Sequence, residues 1–413
     1  MTKSLKSKNN SKKDFVWNAI GLTLNACNSL FFLIVVRFVN GLDIAGIFTY
    51  AFALCIFLYA FAIYFNRSFQ VSDSKYSFND YLTCRTMTSI ISFIAIFIFA
   101  IINQFSGFEI AIVLLLSGFR IVEAISDCFY GAIQEKNRLY QTGISLSLKA
   151  IFGLLIFFIV DWLTHDLALS IVALIIINLL FFCFYDLKNY RKLYTNKIKL
   201  DFTHLKSILK TALPIVIFSA LAIYLSNCQK YVLPYFESDE IQAIFGILIM
   251  PATVLGLVGS YLINPFINKF TLHHQQKNYA QYISSAQKLL VSLAGIGLIA
   301  LVICYFIGIP LLELIFQIDL AIYLWPLQLI ILASIFYAAA MIISSLLTIL
   351  GENRRQTYIY LIASIVATVV AILLIPPLGI FGAVYSFLIS SVVLIILYLI
   401  LLQRKLYGAK NDK

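Results

Sequence analysis

The chain has 413 residues, 62% of them hydrophobic and only 12% charged, with a formal net charge of +11. A soluble domain carries about 25% charged residues, so this composition excludes a water-soluble globular protein and places the chain in a bilayer. The basic excess is dealt out over separate loops, which excludes a nucleic-acid-binding surface and points to membrane topology and attraction to anionic lipid.

A spanning helix needs ~20 apolar residues, and about twelve such segments are expected on that length criterion. In chain order they are 15–38, 44–65, 82–102, 109–133, 143–162, 167–186, 208–235, 240–263, 286–308, 321–350, 357–376 and 379–402. The segment 321–350 is long enough to be tilted, broken or to begin outside the membrane. The connections are short and leave no room for a soluble catalytic domain. The basic stretch Met1–Lys13 precedes an apolar run too long for a signal-peptide core and without a small-residue cleavage site, so it reads as a cytosolic tail.

Lysines and arginines alternate between loops. Lys3, Lys6, Lys8, Lys12 and Lys13 precede span 1; Arg67 and Lys75 follow span 2; Lys136 and Arg138 follow span 4. Lys188, Arg191, Lys192, Lys197, Lys199 and Lys206 follow span 6, Lys269 and Lys277 follow span 8, Arg354 and Arg355 follow span 10, and Arg404 and Lys405 follow span 12. The opposite loops hold only Arg37 and Lys230. The positive-inside rule then puts both termini in the cytosol with an even number of spans. The seven cysteines fall in or at the ends of apolar segments without a CxxC, and read as small packing residues.

Two six-helix halves are expected, related as parallel repeats. Asp43-Ile-Ala-Gly-Ile-Phe48 enters span 2 as Glu240-Ile-Gln-Ala-Ile-Phe245 enters span 8, and Asn137-Arg138 follows span 4 as Asn353-Arg354 follows span 10. The expected organisation is a basic tail 1–14, an N-terminal half 15–187, a basic cytosolic linker 188–207, a C-terminal half 208–403 and a cytosolic tail 404–413.

Trp17-Asn18, Gly21, Arg37-Phe-Val-Asn-Gly41 and Ala45-Gly-Ile-Phe48 resemble the opening of bacterial polysaccharide flippases of the Wzx type, within the multidrug/oligosaccharidyl-lipid/polysaccharide (MOP) superfamily. The resemblance continues through Arg67-Ser-Phe-Gln-Val-Ser-Asp73, through Glu123, Asp127, Tyr130-Gly131 and Gln134, through Lys230-Tyr231 and Arg354-Arg355, to Pro377-Leu-Gly-Ile-Phe-Gly-Ala383. It departs at Asn40-Gly41, where the family more often has Leu-Gly. The resemblance implies a MATE-like all-α fold. It also implies translocation of an undecaprenyl-diphosphate-linked oligosaccharide repeat unit from the cytosolic to the outer leaflet of a bacterial cytoplasmic membrane, for capsule, O-antigen or exopolysaccharide assembly. A polysaccharide polymerase and chain-length machinery are the partners implied beyond the lipid-linked glycan and membrane lipids.

Span 4 is the strongest local signal. Arg120, Glu123, Asp127, Tyr130 and Gln134 recur at helical spacing and fall within an arc of ~80°. Ionisable residues at such depth are costly and face a cavity or a partner. Glu123 and Asp127 could therefore bind a coupling ion; alternatively Arg120 pairs with Glu123, and Asp127 with Arg85 or Lys149. Asn18, Gly21, Asn25 and Asn28 form a stripe on span 1 that suits either sugar hydroxyls or close helix packing.

Arg37 and Lys230, at the outer ends of the first span of each half, suit a diphosphate or acidic sugar; they could equally pair with Asp43 and with Glu237 or Asp239, or snorkel. Arg67, Gln70, Asp73 and Arg85 suit capture of a diphosphate at the cytosolic side, or a simple anchor and capped turn. Pro214, Pro251 and Pro265 predict bends in spans 7 and 8. His273-His274 lacks nearby acidic or cysteine partners, and no Walker A motif or HExxH is present, so no metal and no cofactor are expected.

Alternating access between two halves, with a cavity lined by spans 1, 2, 4, 7 and 8, is the mechanism expected of such a flippase. Two other functions stay open. A cation-coupled multidrug antiporter of the same superfamily would favour an acidic, aromatic site. A polymerase would favour a long outer loop with catalytic Arg or His, which the sequence lacks.

Overall fold

The computed structural model describes residues 2–72, 75–195 and 197–411, with side chains left undescribed at 2–12, 15, 260–261 and 407–411. The expected role of Asp73 lies outside those residues, and that of the tail lysines Lys3, Lys6, Lys8 and Lys12 outside the described side chains. The described chain is predominantly helical, with no strand among the described residues, and it divides into two compact units, residues 1–220 and 221–413.

In the first unit, α1 (Thr2–Asn40) packs along α6 (Leu139–Thr164). α2 (Leu42–Ile63) and α4 (Phe78–Ile102) pack on α5 (Gly107–Glu135), which also meets α7 (Leu167–Phe181). Two short helices lie beyond these spans: α3 (Arg67–Ser72), and α8 (Leu187–Leu193), which continues α7 through a π-helical turn, Phe182–Asp186. The ends are chemically specified. Ser77 with Asp80 and Ser106 with Glu109 form capping boxes at the starts of α4 and α5, and the Asp166 carboxylate accepts from the first amides of α7.

The second unit holds α10 (Asp239–Leu248), α11 (Met250–Ile263), α12 (Ile267–Gln275), α13 (Tyr279–Ile303), α14 (Ile309–Phe316), α15 (Leu324–Ile349), α16 (Asn353–Leu378) and α17 (Ile380–Asn411). The long α9 (Leu205–Val232) crosses from the first unit into the second. α15 is the hub, packed on α11, α13 and α17, and α16 lies along α17. The first unit repeats this scheme. Its fourth span, α5, meets its second, third and sixth spans, as the fourth span of the second unit, α15, meets its own second, third and sixth.

Eleven stretches of the described chain are long and apolar enough to cross a membrane. The remaining expected span is α5. It has 29 residues, ample length at 1.5 Å per residue, but Arg120, Glu123 and Asp127 sit close together and lower its apolar character.

Several boundaries differ from the sequence reading. Span 8 breaks into three pieces, with Pro251 at the start of α11 and Pro265 in a 3₁₀ turn, Asn264–Phe266. The predicted bends fall there, whereas α9 runs through Pro214. Span 9 starts earlier and ends later than its apolar core. Asn278 caps α13 by accepting from the Gln281 amide, and a π-helical turn, Cys304–Gly308, carries the helix on into α14. Span 10 begins with a 3₁₀ turn before α15. The basic tail is helical backbone continuous with α1, and the basic segment after span 6 opens with α8. The seven cysteines are free thiols.

α1 and α6 approach closely because glycines face each other. A β-carbon on Gly21 would lie 2.5 Å from the Gly143 carbonyl oxygen, and one on Gly143 would overlap the carbonyl of Trp17. Gly143→Ala is therefore expected to cost about 1–3 kcal/mol by overpacking, read as a lower Tm of the purified protein. Gly295→Ala on α13, where a β-carbon meets open space, is expected to leave Tm unchanged or raise it.

Candidate functional site

The polar face of α5 carries three successive clusters. At the first, Arg120 pairs with Glu123 at 2.5 Å and lies over the rings of Phe52, Phe119 and Tyr59, with centroid distances of 4.6, 5.4 and 5.7 Å. The aromatic cage stabilises the guanidinium by cation–π attraction in a site with little water. The Arg120 Nε is buried without a hydrogen-bond partner.

One turn on, the Asp127 carboxylate bridges two arginines. Its Oδ1 lies 2.6 Å from Arg67 Nε and its Oδ2 3.1 Å from Arg85 Nη1. Arg85 is fully buried: it donates also to the carbonyls of Ala124 (2.9 Å) and Phe65 (3.0 Å), and its guanidinium stacks on the Phe65 ring. Arg67, on α3, stays 21% exposed in its side chain, with the Tyr130 ring 5.6 Å away.

The third cluster lies outside the sequence expectations. Lys149 of α6 pairs with Asp186 at 2.6 Å and donates to Ser126 Oγ and to the Tyr130 hydroxyl at 2.8 and 3.1 Å. Ser145 donates to the other Asp186 oxygen at 2.6 Å and shares a hydrogen bond with Tyr130. The π-helical turn carries Asp186 into this position. A lone carboxylate closing the apolar run of span 6 is the signal in the sequence. Spacing leaves Lys149 open as a partner for Asp127; the carboxylate it pairs with is Asp186, and Arg85 is the alternative that Asp127 takes.

The other expected site residues are dispersed. Gln70 is buried, donating to the Cys128 carbonyl at 3.0 Å with its amide pressed on Gly131, so it fastens α3 to α5. Neither Gln70 nor Arg85 offers an open surface for capture. Arg37 is half-buried with its Nε unpartnered, and Lys230 ends α9. Neither takes part in the ion pairs found among the described residues, including the expected alternatives with Asp43 and Glu237. Asn18, Asn25 and Asn28 are half-buried along α1, and the Asn18 Oδ1 lacks a hydrogen-bond partner. At the end of α1, Asn40 donates to the buried Asp161 at 2.7 Å, and Ser170 donates to the same carboxylate at 3.0 Å. The departure from Leu-Gly thus has a structural use.

Residues 194–195 and 197–204 strap the cytosol-expected ends of α4 and α5, the Tyr194 hydroxyl donating to the Ala132 carbonyl of α5 at 2.9 Å. Asn79 exchanges hydrogen bonds with the backbone of Lys197 and Lys199, the Asp201 amide donates to Thr83, and His204 lies 3.2 Å from Asp80. Within the strap, hydrogen bonds from Thr203 hold the Asp201 carboxyl below its usual range.

Arg67, Arg85 and Lys149 face Asp127 and Asp186, leaving one positive charge in excess. Removing one partner of a buried pair leaves the other uncompensated. Lys149→Met and Asp186→Asn should each lower Tm, and the double variant should lose less than the sum, with a coupling of about 0.5–3 kcal/mol in a thermal-unfolding cycle on purified protein.

No family model matches the chain. It is 24% identical over 391 residues to the capsular polysaccharide biosynthesis protein CapF of Staphylococcus aureus, covering 94% of this chain and 98% of that one. Among solved structures, an inward-facing multidrug resistance MATE family transporter of the MOP superfamily superposes with a TM-score of 0.65 at 13% identity, covering 97% of this chain and 95% of that one. The lipid II flippase MurJ, in an inward closed conformation, gives 0.64 at 13% identity over 97% and 89% of the two chains. The protein is an all-α, polytopic membrane protein with the fold shared by MOP-superfamily MATE transporters and the MurJ flippase.

Proposed function

We propose that the chain is a flippase that moves an undecaprenyl-diphosphate-linked oligosaccharide repeat unit from the cytosolic to the outer leaflet of a bacterial cytoplasmic membrane, for capsule assembly. Both termini face the cytosol in this reading, as the alternation of basic loops requires. The chain is a transporter rather than an enzyme, and a polymerase and chain-length machinery use what it delivers.

The observation that carries the proposal is the surplus cation of the α5 face. Arg67 is the partly exposed member of the Arg67–Asp127–Arg85 triad. Asp127 neutralises one of the two guanidiniums, so Arg67 retains capacity for a phosphate oxygen. Arg85, fully enclosed, orients Asp127 and thereby Arg67. The length-spanning likeness to a capsular polysaccharide biosynthesis protein supports the substrate class. Arg37 and Lys230 are the cations that would meet the diphosphate or an acidic sugar at the outer side, with Asn18, Asn25 and Asn28 as partners for sugar hydroxyls. The transport cycle is alternating access, which requires the glycan to bind the inward and outward states with different affinity.

The drug-antiporter reading draws on the MATE likeness, and the two fold comparisons do not separate it. The charges favour the flippase. Glu123 and Asp127 are both held in ion pairs, so neither is an open carboxylate for a cationic drug or coupling ion.

In a strain deleted for the gene, complete lipid-linked repeat units should accumulate on the cytosolic leaflet and surface polymer should be lost. Repeat units that reach the outer face unpolymerised would assign a polymerase instead, and unchanged glycans would favour the antiporter. Complementation with Arg67→Gln should restore membrane protein but less than a tenth of export, on the scale of about 1.5–3 kcal/mol for a charged hydrogen bond. Arg67→Lys should restore part of it. Arg37→Ala with Lys230→Ala should lower export at normal protein level; full export by this pair would remove both cations from the mechanism.

A further inference from the structure

The second unit contains an amphipathic groove that the proposed transport does not use. α13 and α17 each pack on α15 but scarcely on each other, so a cleft remains between them. Two cavities lie along it, of about 640 and about 340 Å³. Both are lined by Ile283 and Leu406, which makes them parts of one groove.

The groove changes chemistry along its length. Its larger part opens at the turn joining α12 to α13, where Gln276, Lys277 and Asn278 line it. Its smaller part runs along the helices between Ala286 and Leu290 on one side and Leu399 and Leu402 on the other, with Gln287 and Gln403 as its two polar lining residues among those described. From Leu399 to Leu406 the helix rises ~10 Å, a depth suited to the upper part of an acyl chain. The backbone at the polar end is fixed by hydrogen bonds from the Lys277 and Asn278 amides to the carbonyls of His274 and His273. The Lys277 side chain is exposed. Among the described lining residues Lys277 is the one charged group, and none is acidic.

We infer that this groove is a docking site for an anionic glycerophospholipid, with the headgroup phosphate at Lys277 and one acyl chain between α13 and α17. Charge complementarity selects the occupant. Lys277 beside neutral amides, with no acidic group among the described lining residues, suits an anionic phosphodiester headgroup over an apolar cleft. The polar end lies beside the loop side that carries the basic residues, where anionic lipid is attracted. The site is independent of the glycan-handling face of the first unit.

The test uses the full chain in vesicles containing phosphatidylglycerol or phosphatidylcholine that bears a photoreactive group high on one acyl chain. Cross-linked peptides are mapped by mass spectrometry. Phosphatidylglycerol should label 283–290 and 399–406 about fivefold more than phosphatidylcholine, the contribution of one lysine near a charged headgroup. Lys277→Gln, a change at an exposed side chain, should reduce that ratio to near unity. Leu402→Trp should block labelling by both lipids. Equal labelling of the unmodified protein by the two lipids, or a preference that survives Lys277→Gln, overturns the assignment. Displacement of the label by a polyprenyl diphosphate at lower concentration than by phosphatidylglycerol would give the groove to the carrier lipid instead.

Discussion

Asp127 holds two guanidinium groups inside a helical bundle, and much of the first unit is arranged to make that possible. An isolated charge at such a position is costly. The chain therefore brings Arg67 from α3, Arg85 from α4 and Asp127 from α5 to one point. Arg85 also donates from Nη1 to the carbonyl of Ala124 and from Nη2 to that of Phe65, and turns its π-face to the Phe65 ring. The same requirement explains Lys149, whose ammonium meets a carboxylate, a serine and a tyrosine. The triad and the Lys149 cluster each join at least two helices, so satisfying the charges also fixes how α3, α4, α5, α6 and the turn after α7 meet.

The neutralisation is incomplete, and the proposed anion site rests on that. Arg120 with Glu123, and Lys149 with Asp186, balance as pairs. The triad does not, and its partly exposed member is Arg67. A site for an anion needs a fixed cation with free capacity. In the proposed reading, burying Arg85 while leaving Arg67 partly exposed supplies one, with the buried partner holding the carboxylate in place.

Much of this is legible in the sequence because membrane helices follow strict rules. Length and apolar content mark the spans, and charge on alternate loops gives a consistent orientation. Helical spacing places Arg120, Glu123, Asp127 and Tyr130 on one face, and the structure keeps them there. Partner choice is harder to read. Whether Asp127 meets Arg85 or Lys149 depends on how α4 and α6 sit against α5, and spacing within one helix does not encode that. Asp186 is hidden because its aim depends on a π-helical turn, which has no simple sequence signature. Gln70 looks like an accessible polar residue at a helix end, yet it packs on Gly131, since the missing side chain of a glycine leaves room for an amide. The starts and ends of spans 8 and 9 shift because caps, prolines and π turns set them, not hydropathy.

The π-helical turn at Phe182–Asp186 also sets the rotational phase of α8. Such a turn accommodates one residue more than an α-helix would, and each helical residue turns the chain by ~100°. Wound as regular α-helix instead, the same residues would turn the chain by about one further residue's rotation, ~100°, and swing α8 to another face. Asp186 would leave Lys149, and Tyr190, now buried against Phe78 and Phe129, would point elsewhere. The strap that begins just beyond α8 would start from the wrong azimuth. A buried ion pair and the route of the basic connecting segment are thus keyed to the width of the same turn.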